Sequence, residues 1–240
     1  MNIALIGYGK MGKTIERIAL ERKHKIVLII DENNASDLNS ENLKKADVAI
    51  DFSLPSSAYN NILTCFSADV PVVCGTTGWL EKKQEVIEQA NKERKTFFYA
   101  SNYSIGVNVF FQLNKYLASL MNKVQGYEVS MEEIHHIHKL DAPSGTALSL
   151  AEDIIDQIEY KEKWVLNEPS SKKTVGIKAI RKGEVPGTHS VNYHSEVDFI
   201  QIQHVAHSRE GFAMGAVMAA EYIIGKTGYH TMDNLLRLGY

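Results

Sequence analysis

The sequence predicts an α/β fold, in which an N-terminal Rossmann-like, doubly wound parallel sheet carries an inserted α+β domain. Three observations predict it. Short apolar runs alternate with amphipathic stretches over about the first hundred residues, and a glycine-rich loop follows the first run. Beyond Asn102 the alternation stops, and strand-like runs follow one another. Alternating strands and helices form parallel β-α-β units, whereas consecutive strands form mixed or antiparallel sheets.

Five short apolar runs predict the strands of the first domain. Each run is long enough for a strand and too short for an independent helix. The runs are Asn2–Ile6, Ile26–Ile30, Asp47–Phe52, Val70–Cys74 and Thr96–Ala100. The stretches between several of these runs carry apolar residues at helical spacing, which predicts helices. The helical stretches are Lys13–Arg22, Ser56–Phe66 and Leu80–Arg94.

The second half of the chain predicts two further helices and a second sheet. We expect one helix over Val107–Met121 and another from near Ser144 to about Ile158. Runs rich in β-branched or alternating residues, separated by turn-forming glycines, predict strands. The runs are Tyr127–His136, Val175–Ile180, His189–His194 and Phe199–Val205.

The last apolar segment sets the predicted domain boundaries. Phe212–Ile224 is rich in small apolar residues and is expected to return and pack on the first domain. The first domain would then comprise residues 1–103 plus 209–240, and the inserted domain residues 104–208.

The composition excludes several classes of protein. The 240 residues are 44% hydrophobic and 23% charged, which is typical of a globular protein with a sizeable core. A net charge of −3 without charge blocks argues against a nucleic-acid partner. No apolar run reaches the roughly 20 residues of a membrane span, and there is no basic leader, so we expect a cytoplasmic protein without a membrane partner. Cys65 and Cys74 lie among apolar residues and are expected to be buried hydrophobes.

A glycine-rich loop predicts a dinucleotide site at the end of the first strand. The loop residues are Gly7, Tyr8, Gly9, Lys10, Met11 and Gly12. Glycines allow the tight turn and the close approach of a pyrophosphate, which the N-terminus of the following helix attracts. Asp31 lies 19 positions beyond Gly12, at the end of the second strand, where a carboxylate binds the ribose of the cofactor. The alternative is a structural glycine turn that binds no nucleotide.

Two later loops are expected at the same edge of the sheet, because each follows a predicted strand. Open α/β sheets bind ligands at the carboxyl ends of their strands. Small and hydroxyl residues in these loops would let a nicotinamide ring and its ribose approach the backbone. The residues are Gly75, Thr76 and Thr77 after the fourth strand, and Ala100, Ser101, Asn102 and Tyr103 after the fifth.

The segment from Glu132 to Ala147 contains the strongest functional signal. If a strand runs through it, His135 and Lys139 share one face and His136 and His138 the other. His135 and Lys139 form a candidate proton-donating pair, because both side chains can titrate near neutral pH in a cleft. Ser144, Gly145 and Thr146 open a helix whose hydroxyl and N–H groups suit a carboxylate. Proton donors beside an anion cradle predict a small carboxylic acid as substrate.

Other interpretations of this segment remain open. The three histidines could bind a metal together with His189, His194, His204 or His207, although the spacing matches no zinc signature and we expect no metal. A polar strand end followed by a capped helix would need no function at all. The chain could also be another two-domain dehydrogenase, acting on an amino acid or a semialdehyde, or a regulatory module that senses nicotinamide cofactors.

The run from Glu133 to Ala147 resembles the signature of the dihydrodipicolinate reductase family, E-x-H-H-x-x-K-x-D-A-P-S-G-T-A, over fifteen consecutive positions. The glycine loop, Gly75–Gly78 and Asn102–Asn108 also resemble that family, so the resemblance spans most of the chain. It implies reduction of 4-hydroxy-tetrahydrodipicolinate by NADH or NADPH, with loss of water, on the diaminopimelate route to lysine.

The resemblance also implies roles for particular residues. His135 would donate or accept a proton, and Lys139 would donate one. His136, Gly145 and Thr146 would bind the dicarboxylate substrate, and the inserted domain would assemble a homotetramer through its sheet. The loops named above would hold the cofactor.

Two choices stay open in the sequence. Asp31 and Glu32 favour NADH because they repel a 2′-phosphate, whereas Lys10 could offset that repulsion and permit both cofactors. Arg181, Arg209 or Lys178 could add positive charge near the substrate carboxylates.

Overall fold

The structure is a computed structural model that describes residues 1–168, 171–208 and 210–237. The chain forms two compact units, Met1–Ile105 with Glu210–Tyr240, and Gly106–Arg209. Arg209, one of the three candidate cations, lies outside the described residues.

The described residues form eleven strands and eight α-helices. The strands are β1 Asn2–Ile6, β2 Lys25–Ile30, β3 Val48–Asp51, β4 Val72–Cys74, β5 Thr96–Tyr99, β6 Glu128–His135, β7 Lys163–Leu166, β8 Thr174–Arg181, β9 Gly187–His194, β10 Phe199–Ala206 and β11 Gly228–His230. The helices are α1 Lys10–Glu21, α2 Ser40–Leu43, α3 Pro55–Ser67, α4 Lys83–Lys92, α5 Ile105–Met121, α6 Gly145–Gln157, α7 Glu210–Ile223 and α8 Met232–Leu236.

The first unit is built on a six-stranded sheet with the order β11-β5-β4-β3-β1-β2. Every pair of neighbouring strands in it is parallel. Successive side chains of a strand point to opposite faces, so Ala4 and Ile6 of β1 join one apolar core, and Ile3 and Leu5 the other. Helices α3 and α4 cover the first face, and α1 and α7 the second. The chain turns from β2 back to β3 on the other side of β1, which places a topological switch point beside β1.

Helix α7 packs closely on the second face because its contact residues are small. Ala213, Ala216 and Ala220 are fully buried there. A Cβ atom at Gly215 would lie 1.8 Å from the carbonyl oxygen of Tyr103, so only glycine allows this approach.

The second unit contains a five-stranded mixed sheet with the order β10-β9-β6-β8-β7. Strands β6, β7 and β8 are parallel, whereas β9 is antiparallel to both β6 and β10. Residues of α5 and α6 form one core with the inward-facing residues of the sheet. The predicted α/β fold class, with a Rossmann-like parallel sheet and a second mixed sheet, is confirmed.

One local prediction was wrong. Strand β6 ends at His135 instead of running on, and the Lys139 amide donates to the His136 carbonyl in a turn. The alternation expected for His136, His138 and Lys139 therefore does not apply. Four short elements were also not predicted, since three to five residues show too little periodicity. They are α2, β7, β11 and α8.

Cys65 and Cys74 are buried and free, as predicted. Within the described residues, the helices are too short or too polar to cross a membrane.

Candidate cofactor and substrate sites

The glycine loop in the first unit has the close packing that a dinucleotide loop needs. Gly7 has φ +91°, and a Cβ there would lie 2.2 Å from the Phe52 carbonyl oxygen. A Cβ at Gly12 would lie 2.3 Å from the Gly7 carbonyl oxygen. Gly9 differs, because a Cβ there meets nothing within 4 Å. The outer glycines therefore serve the fold, and Gly9 borders open space at the start of α1.

The start of α1 presents backbone donors rather than a side-chain cap. Gly9 is the N-cap residue and makes no side-chain cap hydrogen bond. Lys10 is exposed, Met11 is half-buried, and the Tyr8 hydroxyl donates to Glu16 further along the helix. First-turn amides and the helix dipole together attract an anion such as a pyrophosphate.

Asp31 lies beside this loop because the Gly7 amide donates to the carbonyl of Ile30, the last residue of β2, over 2.9 Å. Its Oδ1 accepts the Asn33 amide at 2.7 Å. Asp31 is half-buried, and Glu32 and Asn33 are exposed. This places a carboxylate next to the glycine loop, as a ribose ligand requires.

The loop after β4 is anchored by a carboxylate that was not singled out in the sequence. Asp51, the last residue of β3, is fully buried. Its Oδ1 accepts the Thr76 hydroxyl at 2.6 Å, and its Oδ2 accepts the Asn61 amide at 2.8 Å. Burial raises the pKa of Asp51, against the hydrogen bonds from Thr76, Asn61 and Ser53 that lower it. The Thr76 side chain therefore points into the protein, whereas Thr77 is exposed and Gly75 half-buried.

The loop after β5 is likewise divided between inward and outward residues. The Tyr103 hydroxyl donates to the Cys74 carbonyl over 2.7 Å, and burial raises its pKa well above the usual value. Ser101 is exposed, and Ala100 and Asn102 are half-buried. Of these four residues, only Ala100, Ser101 and Asn102 are accessible to a ligand. The buried Tyr103 side chain instead fixes the loop to the end of β4.

In the second unit, the carboxyl end of β6 carries two buried polar residues in an apolar row. Val129 and Met131 face the core, and the next inward positions are Glu133 and His135. Both Glu133 oxygens accept the Ser144 amide, at 3.2 and 3.1 Å. Glu133 Oε1 also accepts a hydrogen bond from Arg181 Nη2 at 3.2 Å. These donors compensate the cost of burying a carboxylate.

Ser144 connects this end of β6 to α6. It is the N-cap residue, and its hydroxyl oxygen accepts the Ala147 amide. The same oxygen lies 3.1 Å from His189 Nε2. The amide and the hydroxyl of Ser144 are thus both used within the protein. The residues of the cradle that remain accessible to a ligand are its neighbours Gly145 and Thr146. Gly145 is exposed with no atom within 4 Å of a Cβ position, and Thr146 is half-buried.

Two imidazoles meet beside Glu133. The rings of His135 and His189 are 5.0 Å apart, and both side chains are buried. Burial lowers the pKa of His189 to about 3, with the charges of His135, His204 and Lys139 acting in the same direction. Burial also lowers the pKa of His135, and Glu133 partly opposes this effect. Both rings are therefore neutral at neutral pH.

Lys139 and Arg181 bring positive charge to the same loop. The Lys139 amine lies 2.8 and 2.9 Å from the two carboxylate oxygens of Asp141. Arg181 donates to the backbone carbonyls of Lys139, Ile180 and Asp141, besides Glu133. Arg181 is thus committed to holding the loop. Lys178 instead pairs with Glu132 at 3.4 Å and is largely exposed.

His136 follows the strand end and is half-buried, with a buried Nδ1 that has no hydrogen-bond partner among the described residues. Its ring lies 6.1 Å from that of His138. Imidazole nitrogens need a partner when buried, so this orphaned atom is consistent with a ligand contact.

The residues that could bind a metal in the structure are not the ones considered from the sequence. The His-His-x-His run does not converge, but ligand-type atoms of Glu133, His135 and His189 lie within 4.8 Å of one another. The Ser144 amide and the Arg181 guanidinium already point hydrogens at Glu133, which opposes a cation there.

Asp51 and Glu133 were assigned no function from the sequence, and His189 was named there only as a possible metal ligand. Asp51 and Glu133 each put a charged residue at an inward position of an apolar strand, and this pattern is the signal that could have identified them. His189 gave no such signal, because its position beside His135 depends on the pairing of β6 with β9.

Known proteins resemble this chain over nearly its full length. Residues 1–103 match the family model described as dihydrodipicolinate reductase, N-terminus, and residues 106–236 match its C-terminus. The chain is 52% identical over 237 residues to a 4-hydroxy-tetrahydrodipicolinate reductase from Christiangramia forsetii, covering 98% of both chains. It is 36% identical to the enzyme of that name from Staphylococcus aureus, covering 98% of this chain and 100% of the relative.

Solved structures show the same fold. A dipicolinate-bound dihydrodipicolinate reductase from Paenisporosarcina sp. TG-14 superposes with a TM-score of 0.79 at 22% identity, covering 96% of this chain and 97% of that one. A probable dehydrogenase from Thermotoga maritima gives 0.58 at 11% identity, covering 99% of this chain and 93% of that one. The chain therefore belongs to the dihydrodipicolinate reductase family of NAD(P)H-dependent oxidoreductases, whose N-terminal domain binds NAD(P).

Proposed function

We propose that this chain reduces 4-hydroxy-tetrahydrodipicolinate to tetrahydrodipicolinate with NADH or NADPH and releases water, on the diaminopimelate route to lysine. The observation that carries the proposal is the family match over both units, together with an anion cradle and proton-transfer groups at the end of β6. Another dehydrogenase activity is not favoured, because both family models and the relatives match this reductase. A cofactor sensor is not favoured either, because a sensor has no need for His135 and Lys139 beside a cradle.

The first unit fits a dinucleotide. Open space at Gly9, uncapped amides at the start of α1 and the carboxylate of Asp31 are the features that a pyrophosphate and a ribose require. The nicotinamide end would be held by loop residues that are exposed or half-buried, namely Gly75, Thr77, Ala100, Ser101 and Asn102. Thr76 and Tyr103 would fix the conformation of these two loops through their buried hydrogen bonds. When bound, the cofactor supplies the hydride.

The second unit would bind the substrate and manage its protons. Gly145 and Thr146 would bind one carboxylate at the start of α6, and His136 would contact the same ligand. Loss of the C4 hydroxyl as water would first give a conjugated cyclic imine. Hydride addition at its C4 then leaves negative charge along the conjugated enamine, so a proton must reach the ring. Lys139 would supply that proton, and His135 would tune or relay it.

Assembly and location are part of the proposal. Phe199 and Val205 of β10 are 52% and 44% exposed on the sheet of the second unit. Exposed apolar residues on a strand suit a contact between copies, which supports a homotetramer formed through this sheet. A biosynthetic enzyme that uses nicotinamide cofactors would work in the cytoplasm.

The test is cofactor oxidation by the purified chain, with the substrate generated in place from pyruvate and aspartate semialdehyde by the preceding synthase. We expect oxidation of NADH or NADPH only when the synthase and both precursors are present. The chain should also restore growth without diaminopimelate to a bacterium that lacks its own reductase. Oxidation with a different imine or semialdehyde, but not with this mixture, would reject the proposal. Light scattering of the same sample would test the tetramer.

A further inference from the structure

We propose that Glu133 is a positioning residue, whose buried carboxylate holds the substrate cradle through the Ser144 amide and orients the His135 imidazole through Nδ1. The proposal rests on the proposed function for its catalytic consequence, but its geometric content is independent of it.

Glu133 connects strand β6 to the start of helix α6. It is fully buried, and both of its oxygens accept the Ser144 amide. Ser144 is the N-cap residue of α6, so this contact joins the end of β6 to the residue that precedes Gly145 and Thr146. The carboxylate therefore fixes where the first turn of α6 begins relative to β6. Displacement of that turn would misplace the whole cradle.

His135 has its Nδ1 edge toward the same carboxylate. Its Nδ1 lies 3.5 Å from Glu133 Oε2 and is buried without a hydrogen-bond partner among the described residues. A small rotation of the ring would convert this approach into a hydrogen bond. A carboxylate facing Nδ1 favours the tautomer that carries its proton there. The other nitrogen, Nε2, would then be the one that exchanges a proton.

The other ring nitrogen of His135 lies beside Gly187. A Cβ at Gly187 would lie 3.2 Å from His135 Nε2, so bare backbone borders this nitrogen. Glu133 beside Nδ1 and Gly187 beside Nε2 therefore limit the imidazole to small rotations. An orientation imposed from both sides is what proton transfer to a bound ligand requires.

The charges around His135 indicate how it should respond to Glu133. Its pKa is lowered chiefly by burial, and further by Lys139 and by Arg181 of β8. Glu133 on the same strand and Asp141 in the loop raise the pKa, and His189 of β9 faces the ring. Neutralising Glu133 would leave Lys139 and Arg181 dominant, so the pKa of His135 should fall further.

The decisive measurement uses the wild-type chain and needs no activity. Long-range nitrogen-proton NMR of the imidazoles, with His135 assigned by its loss in His135→Gln, reports the tautomer directly. We expect the Nδ1-protonated form. The Nε2-protonated form would overturn the proposal, whether or not the chain is the proposed reductase.

The matched variants are Glu133→Gln and Glu132→Gln, which remove one charge each from adjacent positions on β6. Glu132 is half-buried and pairs with Lys178. We expect Glu133→Gln to lower kcat/KM for the substrate by about tenfold to a hundredfold, as for a misplaced reacting group. The acidic limb of its pH profile should move to lower pH, and cofactor affinity should not change. Glu132→Gln should behave as wild type.

Glu133→Asp keeps the charge and should recover part of the lost activity and of the pH profile. A purely structural role predicts another pattern: a lower melting temperature in Glu133→Gln, with the pH profile and the His135 signals unchanged. That pattern would overturn the proposal.

Discussion

The Lys139 amine donates to Asp141 Oδ2 over 2.9 Å and lies 2.8 Å from its Oδ1. Partial burial alone would raise the pKa of Asp141, but the hydrogen bond and the charge of Lys139 outweigh it, and the pKa is lowered. The two groups therefore form an ion pair at neutral pH. The Arg181 guanidinium holds the backbone of both residues, so the amine is fixed on an anchored loop.

Replacement of Lys139 by Met should reduce turnover by roughly 10²–10⁴-fold, the usual contribution of a positioned general acid. His135→Ala should fall in the same range, and the double variant should be far from additive if the two side chains act together. Steady-state kinetics with either cofactor measures this. Lys178→Met is the matched control, since Lys178 is exposed and paired with Glu132. Near-normal turnover in a folded Lys139→Met protein would refute the proton-donor role.

The cradle can be tested without catalysis, through Gly145→Ala. The added methyl group meets no protein atom within 4 Å, so the fold should be unaffected. Pyridine-2,6-dicarboxylate should bind more weakly, because the methyl group would occupy the space of its carboxylate. Thr146→Val should weaken binding by about 1–3 kcal/mol through a lost donor to a charged group.

Gly9→Ala provides the complementary control for that experiment. It is equally open in the structure, so it should weaken cofactor binding and leave the dicarboxylate unaffected. Calorimetric titration of both ligands into both variants measures the pattern. Unchanged dicarboxylate affinity in Gly145→Ala would place the cradle elsewhere.

Asp31→Ala should impair NADH more than NADPH, because a carboxylate beside the glycine loop binds the ribose hydroxyls and repels a 2′-phosphate. The ratio of kcat/KM values for the two cofactors measures this preference. Asp37→Ala, an exposed acidic residue in the same connection between β2 and β3, is the control for general charge effects. Equal losses with both cofactors would mean that Asp31 does not contact the ribose.

His189 should make the protein sensitive to acid. Its pKa is about 3 in the folded chain and roughly 6.5 in an unfolded one, so the folded state binds fewer protons below pH 6.5. The stability contributed by the neutral ring is present above that pH and is lost as the pH falls toward 3. Between pH 7 and pH 5 the loss is about 2 kcal/mol. Urea unfolding at both pH values should show a smaller loss in His189→Gln, whereas exposed His138→Gln should match wild type.

Treatment with a chelator distinguishes the proton-transfer mechanism from a metal centre at Glu133, His135 and His189. We expect full activity after dialysis against EDTA, since Arg181 and the Ser144 amide already satisfy Glu133. Metal analysis of the protein before dialysis is the control. Activity lost to EDTA and restored by zinc would establish the metal.

Local patterns predicted most of the fold. Five of the six strands of the first sheet, β1 to β5, lie within two residues of their predicted bounds, because buried parallel strands appear as short apolar runs. The start of α6 was predicted at Ser144, whose hydroxyl does cap the helix. The short elements α2, β7, β11 and α8 were missed, since they depend on neighbours rather than on their own periodicity.

The sequence by itself determined the family, the glycine loop and the residues that present proton donors and helix-start amides, because these features are contiguous in the chain. Tertiary structure alone decided which of them face outward. Thr76 and Tyr103 were candidates for ligand contact, but their hydroxyls donate to Asp51 and to the Cys74 carbonyl. Glu133 and His189 meet only because β6 pairs with β9 and α6 begins beside them. Hydrogen bonds between residues distant in sequence depend on strand register and burial, and a linear pattern contains neither.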